Sequence, residues 1–229
     1  MFAAIETLLR EAQIEAPEAR RLAEYGEMLL EANQRTNLTG AKTPEKLVSH
    51  LLDSLTLAPF IIGPLVDVGS GSGLPAIPLA LVLGIEITMI EATGKKAAFL
   101  ERAVKRLKLQ GEVIAERAET AARSERLRDA YPSATCRAVA SGTATVELLL
   151  PFVQPSGLAL LQRGRVEEFE RAAIADAALV LGAELEGIVT LSDGKRSIVQ
   201  LRKTMPTPSR FPRRVGVAER RPLCPERFT

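Results

Sequence analysis

Apolar residues in this chain recur first at helical spacing, then in alternating strand and helix patterns, and finally without regularity. Ile5, Leu8 and Leu9 make a short amphipathic stripe, and Leu22, Tyr25, Met28, Leu29 and Ala32 make a second behind Pro17. The polar run 33–40 interrupts them. Thr43 then has the chemistry of a helix cap, with Pro44 at the first helical position. Leu47, Leu51, Leu52 and Leu55 share one face until Pro59. Residues 1–60 therefore predict a helical extension.

From Leu65 the period changes. Short β-favouring patches alternate with amphipathic stretches, predicting strands over 65–68, 85–90, 113–115, 135–140, 158–161, 185–191 and 197–201. Helices are predicted after Gly73 and over 95–109, 146–152 and 166–181, with Asp193-Gly194 as a closing hairpin. Alternation of this kind builds a doubly wound α/β fold, a mainly parallel sheet with helices on both faces. Residues 61–203 form that unit.

Its opening carries the first candidate chemistry. Asp67 precedes Gly69, Gly71 and Gly73, and Pro75 and Pro78 lead into an apolar helix. Strand, tight glycine turn and helix read as the start of a Rossmann-like βαβ unit, where the backbone must let a ligand approach closely. Gly71-Ser72-Gly73-Leu74-Pro75-Ala76 satisfies the dinucleotide pattern, so NAD(P) is one candidate ligand. S-adenosylmethionine is the other. A carboxylate at Asp67 suits a sulfonium and an ammonium better than a pyrophosphate. The plain alternative is that Asp67 caps a turn. Glu91 closes the second strand about 20 residues after the glycines, where an acid accepts the ribose hydroxyls of an adenosine. Such bonds contribute about 1.5–3 kcal/mol each. Otherwise Glu91 is a surface acid capping the next helix.

Composition adds limits. With 229 residues and 46% hydrophobic content the chain can bury a sizeable core. Cys136 and Cys224 are far apart and lack metal-ligand spacing, which suits unpaired thiols in a reducing compartment. No basic leader and no membrane-length apolar run is evident, so a soluble cytoplasmic chain without a bound metal is expected. Charge is uneven. Residues 202–229 hold eight basic and two acidic side chains, a net of +6 in a chain of +2, which leaves −4 on the body. With five prolines, the tail over 204–229 reads as an arm for phosphates, through Lys203, Arg210, Arg213 and Arg214. The alternatives are a solvated tail, or a strut pinned by Phe211, Val215 and Val217. The outer face of 95–109 is also basic, either merely solvated or an approach to a polyanion. His50, the lone histidine, lies beside an apolar helix face, where a packed side chain is the commoner role; Asn37 reads as a turn residue.

Taken together, Asn37-Leu38-Thr39, His50 to Leu55, Asp67 to Pro75, Gly94-Lys95-Lys96, Arg117-Ala118-Glu119 and Arg137 to Ala140 occur in an order that resembles the RsmG (GidB) family. These are bacterial methyltransferases acting on 16S ribosomal RNA. The likeness extends into the tail, from Thr207-Pro208 through Phe211 to Arg214 and on to Pro222-Leu223. It implies a class I methyltransferase fold and methyl transfer to N7 of a guanosine of the small subunit; a monomer is expected. Cofactor contacts carry over to Gly69, Leu74, Ala118, Glu119 and Arg137, with Glu91 at the ribose. Asn37, His50 and Arg163 become candidates for the target pocket. Three departures touch the pocket's shape: Ala76 stands where the family commonly has glycine, Arg163-Gly164 where it has Lys-Gly, and Ser141 where an apolar residue is commoner. No residue is assigned as a general base, because guanine N7 has a free lone pair. Two rivals are kept in view, an NAD(P)-dependent oxidoreductase and a non-catalytic RNA-binding protein.

Overall fold

A computed structural model of the chain describes residues 1–137 and 141–223. Three helices come first, α1 (Phe2–Glu11), α2 (Ala16–Asn33) and α3 (Pro44–Leu55), and the Thr43 hydroxyl accepts the Lys46 N–H at the start of α3. The alternating unit follows as β1 (Leu65–Val68), α4 (Ala76–Leu83), β2 (Ile87–Ile90), α5 (Gly94–Leu107), β3 (Gly111–Ile114), α6 (Ala118–Ala121), β4 (Tyr131–Arg137), α7 (Gly142–Leu149), β5 (Val153–Gly164), α8 (Glu168–Val180), β6 (Ala183–Thr190) and β7 (Arg196–Lys203). A last turn of helix, α9 (Val217–Arg220), lies in the tail.

The seven strands form one sheet in the order β3-β2-β1-β4-β5-β7-β6, parallel except for β7, which runs antiparallel to β5 and β6. The order reverses between β1 and β4, so the crevice at the carboxyl ends of those two strands is the natural ligand site.

Alternation along each strand sorts the core onto two faces. Leu65, Ile87, Met89, Leu158 and Ile198 face α1–α5, in one cluster with Ile5, Leu22, Leu51, Ile77 and Leu100. Val66, Val68, Ile90, Leu161 and Val199 face the other way, with Leu149, Ile174, Phe211 and Leu223. The N-terminal helices thus share a core with the sheet.

Boundaries move from the expected ones for identifiable reasons. β5 spans twelve residues where only 158–161 reads as strand. Between the pairs Tyr131↔Val153 and Ser133↔Leu158 the β5 side carries three extra residues, so the turn-like 154–157 is a bulge inside a strand. The helix expected over 146–152 begins earlier, at Gly142, and ends in a 3-10 turn at Leu150–Phe152. The fourth strand starts at Tyr131, and its expected end at 138–140 lies outside the described residues. So does Cys224. No helix among the described residues is long and apolar enough to cross a membrane.

The tail is packed. Arg128 donates to the carbonyls of Thr207, Pro208 and Phe211, and Arg123 to those of Ser209 and Pro212. Phe211 is fully buried, and residues 204–216 cross the α6–α7 face to reach Glu119.

Candidate cofactor and substrate site

The glycine turn sits at the carboxyl end of β1. Gly71, at φ 58°, opens onto free space: a Cβ there would have only the Gly69 carbonyl within reach, at 3.8 Å. Gly73 answers a different need, since a Cβ would collide with Ile77 of α4 at 2.5 Å. The Gly69 and Ser70 N–H groups donate to the Ile90 carbonyl, which ties the turn to β2. Tyr25 of α2 donates its hydroxyl to the Ser72 carbonyl at 2.7 Å, so the N-terminal helices brace the turn from behind.

Glu91 is brought to this turn. Its Oε2 accepts the Gly71 N–H at 2.8 Å and its Oε1 the Thr93 N–H at 2.7 Å. Both oxygens keep further lone pairs, and the carboxylate is fixed at the rim of the turn. Asp67 lies deeper. Oδ1 accepts from Thr135 at 2.8 Å, whereas Oδ2 is buried with no partner. Burial pushes its pKa up to about 6, opposed by the bonds to Thr135 and Ser70. Asp67 thus holds an ionised carboxylate at neutral pH with one oxygen unsatisfied, which a nearby cation would relieve. The open Gly71, the fixed Glu91 carboxylate and the unsatisfied Asp67 fit the chemistry of S-adenosylmethionine, which brings hydroxyls and a positive end.

The other expected cofactor residues fall around the same edge. Leu74 is buried where the turn enters α4, and Ala118 opens α6 after β3. Glu119 is 7% exposed and its Oε1 accepts the Gly216 N–H at 2.7 Å. This tie to the tail was not legible in the sequence.

Arg137 ends β4 beside a second cleft of about 350 Å³, also lined by His50, Asp53, Gln162, Arg163, Gly164 and Arg196. Its Nη1 pairs with Asp53 Oδ2 at 3.4 Å, and Asp53 Oδ1 takes the Arg196 guanidinium. Arg137 is thus held in a structural ion pair. Gln162 donates to the Asp53 carbonyl at 2.7 Å, locking α3 against β5. His50 shares the cleft with Arg163, which pairs with Glu170 at 2.7 Å. Burial, then Arg137 and Lys46, hold the His50 imidazole below its usual pKa, so it is neutral at pH 7. Thr39 approaches His50 Nδ1 at 3.4 Å, while Asn37 is exposed in the preceding turn. The residue that shapes this turn is Asn33, whose Oδ1 accepts the Leu38 and Thr39 N–H groups and whose Nδ2 donates to the Thr39 and Ala41 carbonyls. Asp53 and Asn33 were missed as site residues. The spacing of Asp53 three residues after His50 on one helix was the available signal.

Two of the four expected RNA contacts are corrected. Lys203 is buried, with Nζ donating to Asp129 Oδ1 at 2.8 Å, the Leu150 carbonyl at 2.7 Å and Thr207 Oγ1. Arg213 forks onto the fully buried Glu147 of α7. Lys203 is spent on the half-buried Asp129 and Arg213 on the buried Glu147. Arg210, stacked over Phe211 at 5.2 Å, and Arg214 remain exposed.

The strand order and the edge-on glycine turn define a class I, Rossmann-like methyltransferase fold. Magnesium protoporphyrin IX methyltransferase from Synechocystis, solved with bound SAM, superposes on it with a TM-score of 0.55 at 12% identity, covering 79% of this chain and 97% of that one. At that identity the likeness speaks for the fold alone. The family is fixed by sequence: the family model described as "rRNA small subunit methyltransferase G" matches residues 18–199. Relatives of that name from Rubrobacter xylanophilus and Chloroflexus aggregans are 38% and 41% identical, over 88% and 87% of this chain and 82% and 87% of theirs. The chain belongs to this GidB family of ribosomal RNA methyltransferases. That membership decides against both the oxidoreductase and the non-catalytic RNA-binding reading.

Proposed function

We propose that the chain transfers the methyl group of S-adenosylmethionine to N7 of a guanosine in 16S ribosomal RNA, as a monomer in the cytoplasm. The observation that carries this reading is the family match over residues 18–199, which spans both the glycine turn and the Arg137 cleft. The cofactor, when bound, supplies a methyl group on a sulfonium. Glu91 and the turn hold the adenosine, and Asp67 offsets the positive charge at its other end. The cleft of His50, Arg137 and Arg163 lies one strand away from Asp67 and suits the target base.

Guanine N7 attacks through an in-plane lone pair, so no proton has to leave first. A neutral His50 and an Asp53 already paired with two arginines are compatible with that chemistry, which needs orientation more than a base.

Transfer of labelled methyl groups to small subunits lacking the modification tests the reading. We expect incorporation into 16S RNA at a position that borohydride and aniline cleave, the signature of a 7-methylguanosine. Glu91→Ala should weaken cofactor binding about 10- to 150-fold, the equivalent of about 1.5–3 kcal/mol. Label on another atom, or none at all, would overturn the assignment of N7.

A further inference from the structure

We propose that the groove between α2 and α5 is a phosphate track that holds the RNA strand flanking the target nucleotide. The groove encloses about 1040 Å³. Its floor is Phe99, Met28 and Ala32, and its walls carry Arg35, Arg102, Lys105 and Arg106 against one acid, Glu31. Arg106 is paired with Glu24 at 3.2 Å. Arg35, Arg102 and Lys105 are exposed, and no hydrogen bond or ion pair to an acid holds any of them among the described residues. Three unneutralised cations along an apolar floor match a chain of phosphates with bases or sugars laid against the floor.

The groove also leads to the right place. α2 and α5 run in opposite directions, since Arg21 reaches the Leu107 carbonyl at the end of α5 while residues 32–36 lie over Phe99 near its start. The start of α5 follows Glu91 at the cofactor edge. Beyond Arg35 and Thr36 the chain turns through 37–40, where Thr39 meets His50 in the cleft. A strand lying in the groove therefore continues over that turn toward the proposed target pocket. The track is on the α1–α5 face of the sheet, opposite the face that the tail covers.

The inference rests on the reading of the protein as an RNA methyltransferase, and the test separates the two. The full-length variant Arg35→Glu/Arg102→Glu/Lys105→Glu, and the matching triple alanine variant, are compared with wild type. The substitutions lie outside the cofactor pocket, so S-adenosylmethionine affinity and melting temperature should match wild type. RNA affinity should fall at least tenfold at low salt, and the slope of log affinity against log salt should become shallower by about 2, three contacts at about 0.7 each. KM for subunits should rise while kcat at saturation is kept. Unchanged affinity and slope in a variant whose parent methylates RNA overturn the track and leave the function standing. A loss of binding to assembled subunits with binding to naked 16S RNA intact also overturns it, since the groove would then dock a ribosomal protein. A wild-type chain that transfers no methyl group to RNA removes the function first and the track with it.

Discussion

The chain has two strongly basic stretches, on opposite faces of the sheet, and it spends their charge in opposite ways. In the tail, Lys203 and Arg213 are turned inward onto Asp129 and Glu147, and Arg202 forks onto Glu186. On α5 and the end of α2, Arg35, Arg102 and Lys105 stand free in a groove. Counted in the sequence, the tail is the more basic of the two. Counted after folding, three of its cations are already spent on acids, one of them the fully buried Glu147. Net charge identifies an interface only where the cations are left over.

Removing the tail should break that comparison most visibly. A chain ending before Thr204 loses Thr207, Phe211 and Arg213, strips partners from Arg123 and Arg128, and leaves Glu147 uncompensated in the core. We expect it to aggregate or to melt far below wild type. A truncated chain that melts normally would restore the tail as a free arm. The single change Glu147→Ala isolates one tie. Breaking a buried pair costs about 3–5 kcal/mol, which for a chain of this size corresponds to a fall of about 10 °C in melting temperature.

The same contrast shows what the sequence could disclose. The glycine turn and the placement of Asp67 and Glu91 beside it were legible because they follow from local spacing: a strand end, a tight turn and an acid one strand further on. The seven strands were legible for the same reason. The 154–157 bulge kept its turn chemistry and was still not legible as part of β5, because pairing with β4 and β7 decides it. Asp53, Glu147 and the Glu119–Gly216 bond lie between residues 66 to 143 positions apart in the chain. No periodicity reports such partners. Arg213 and Arg214 are neighbours of identical chemistry, and only packing makes one a strut and the other a surface cation.

A smaller effect comes from pH. Burial lowers the Lys203 pKa, with Asp129 opposing the shift. The unfolded chain therefore holds more protons than the folded one between that lowered value and the ordinary lysine range. Lys203 makes the folded state gain stability as pH rises through this alkaline window. Lys203→Met should lower stability by about 3 kcal/mol at pH 7, because Asp129 and the Leu150 carbonyl lose their partner. It should also flatten the difference in stability between pH 7 and pH 10. A Lys203→Met variant with the wild-type slope would mean that the ammonium is hydrated after all.

The smallest change tests whether any of the tail's charge is left for RNA. Arg210 and Arg214 are the exposed cations between Thr204 and the turn at Gly216. Neither supports a buried acid, so Arg210→Ala/Arg214→Ala should move stability by no more than about 0.5 kcal/mol per site. If each touches one phosphate, the salt slope of RNA binding should become shallower by about 0.7–0.9 per residue. Cofactor affinity should stay at the wild-type value, because the Gly216 N–H still holds Glu119. The loss of RNA affinity should be smaller than that of the triple groove variant, since the segment between Thr204 and Gly216 offers two exposed cations where the groove offers three on one continuous wall. Equal or larger losses from the tail would reverse the ranking and make the tail, strut though it is, the principal grip on RNA.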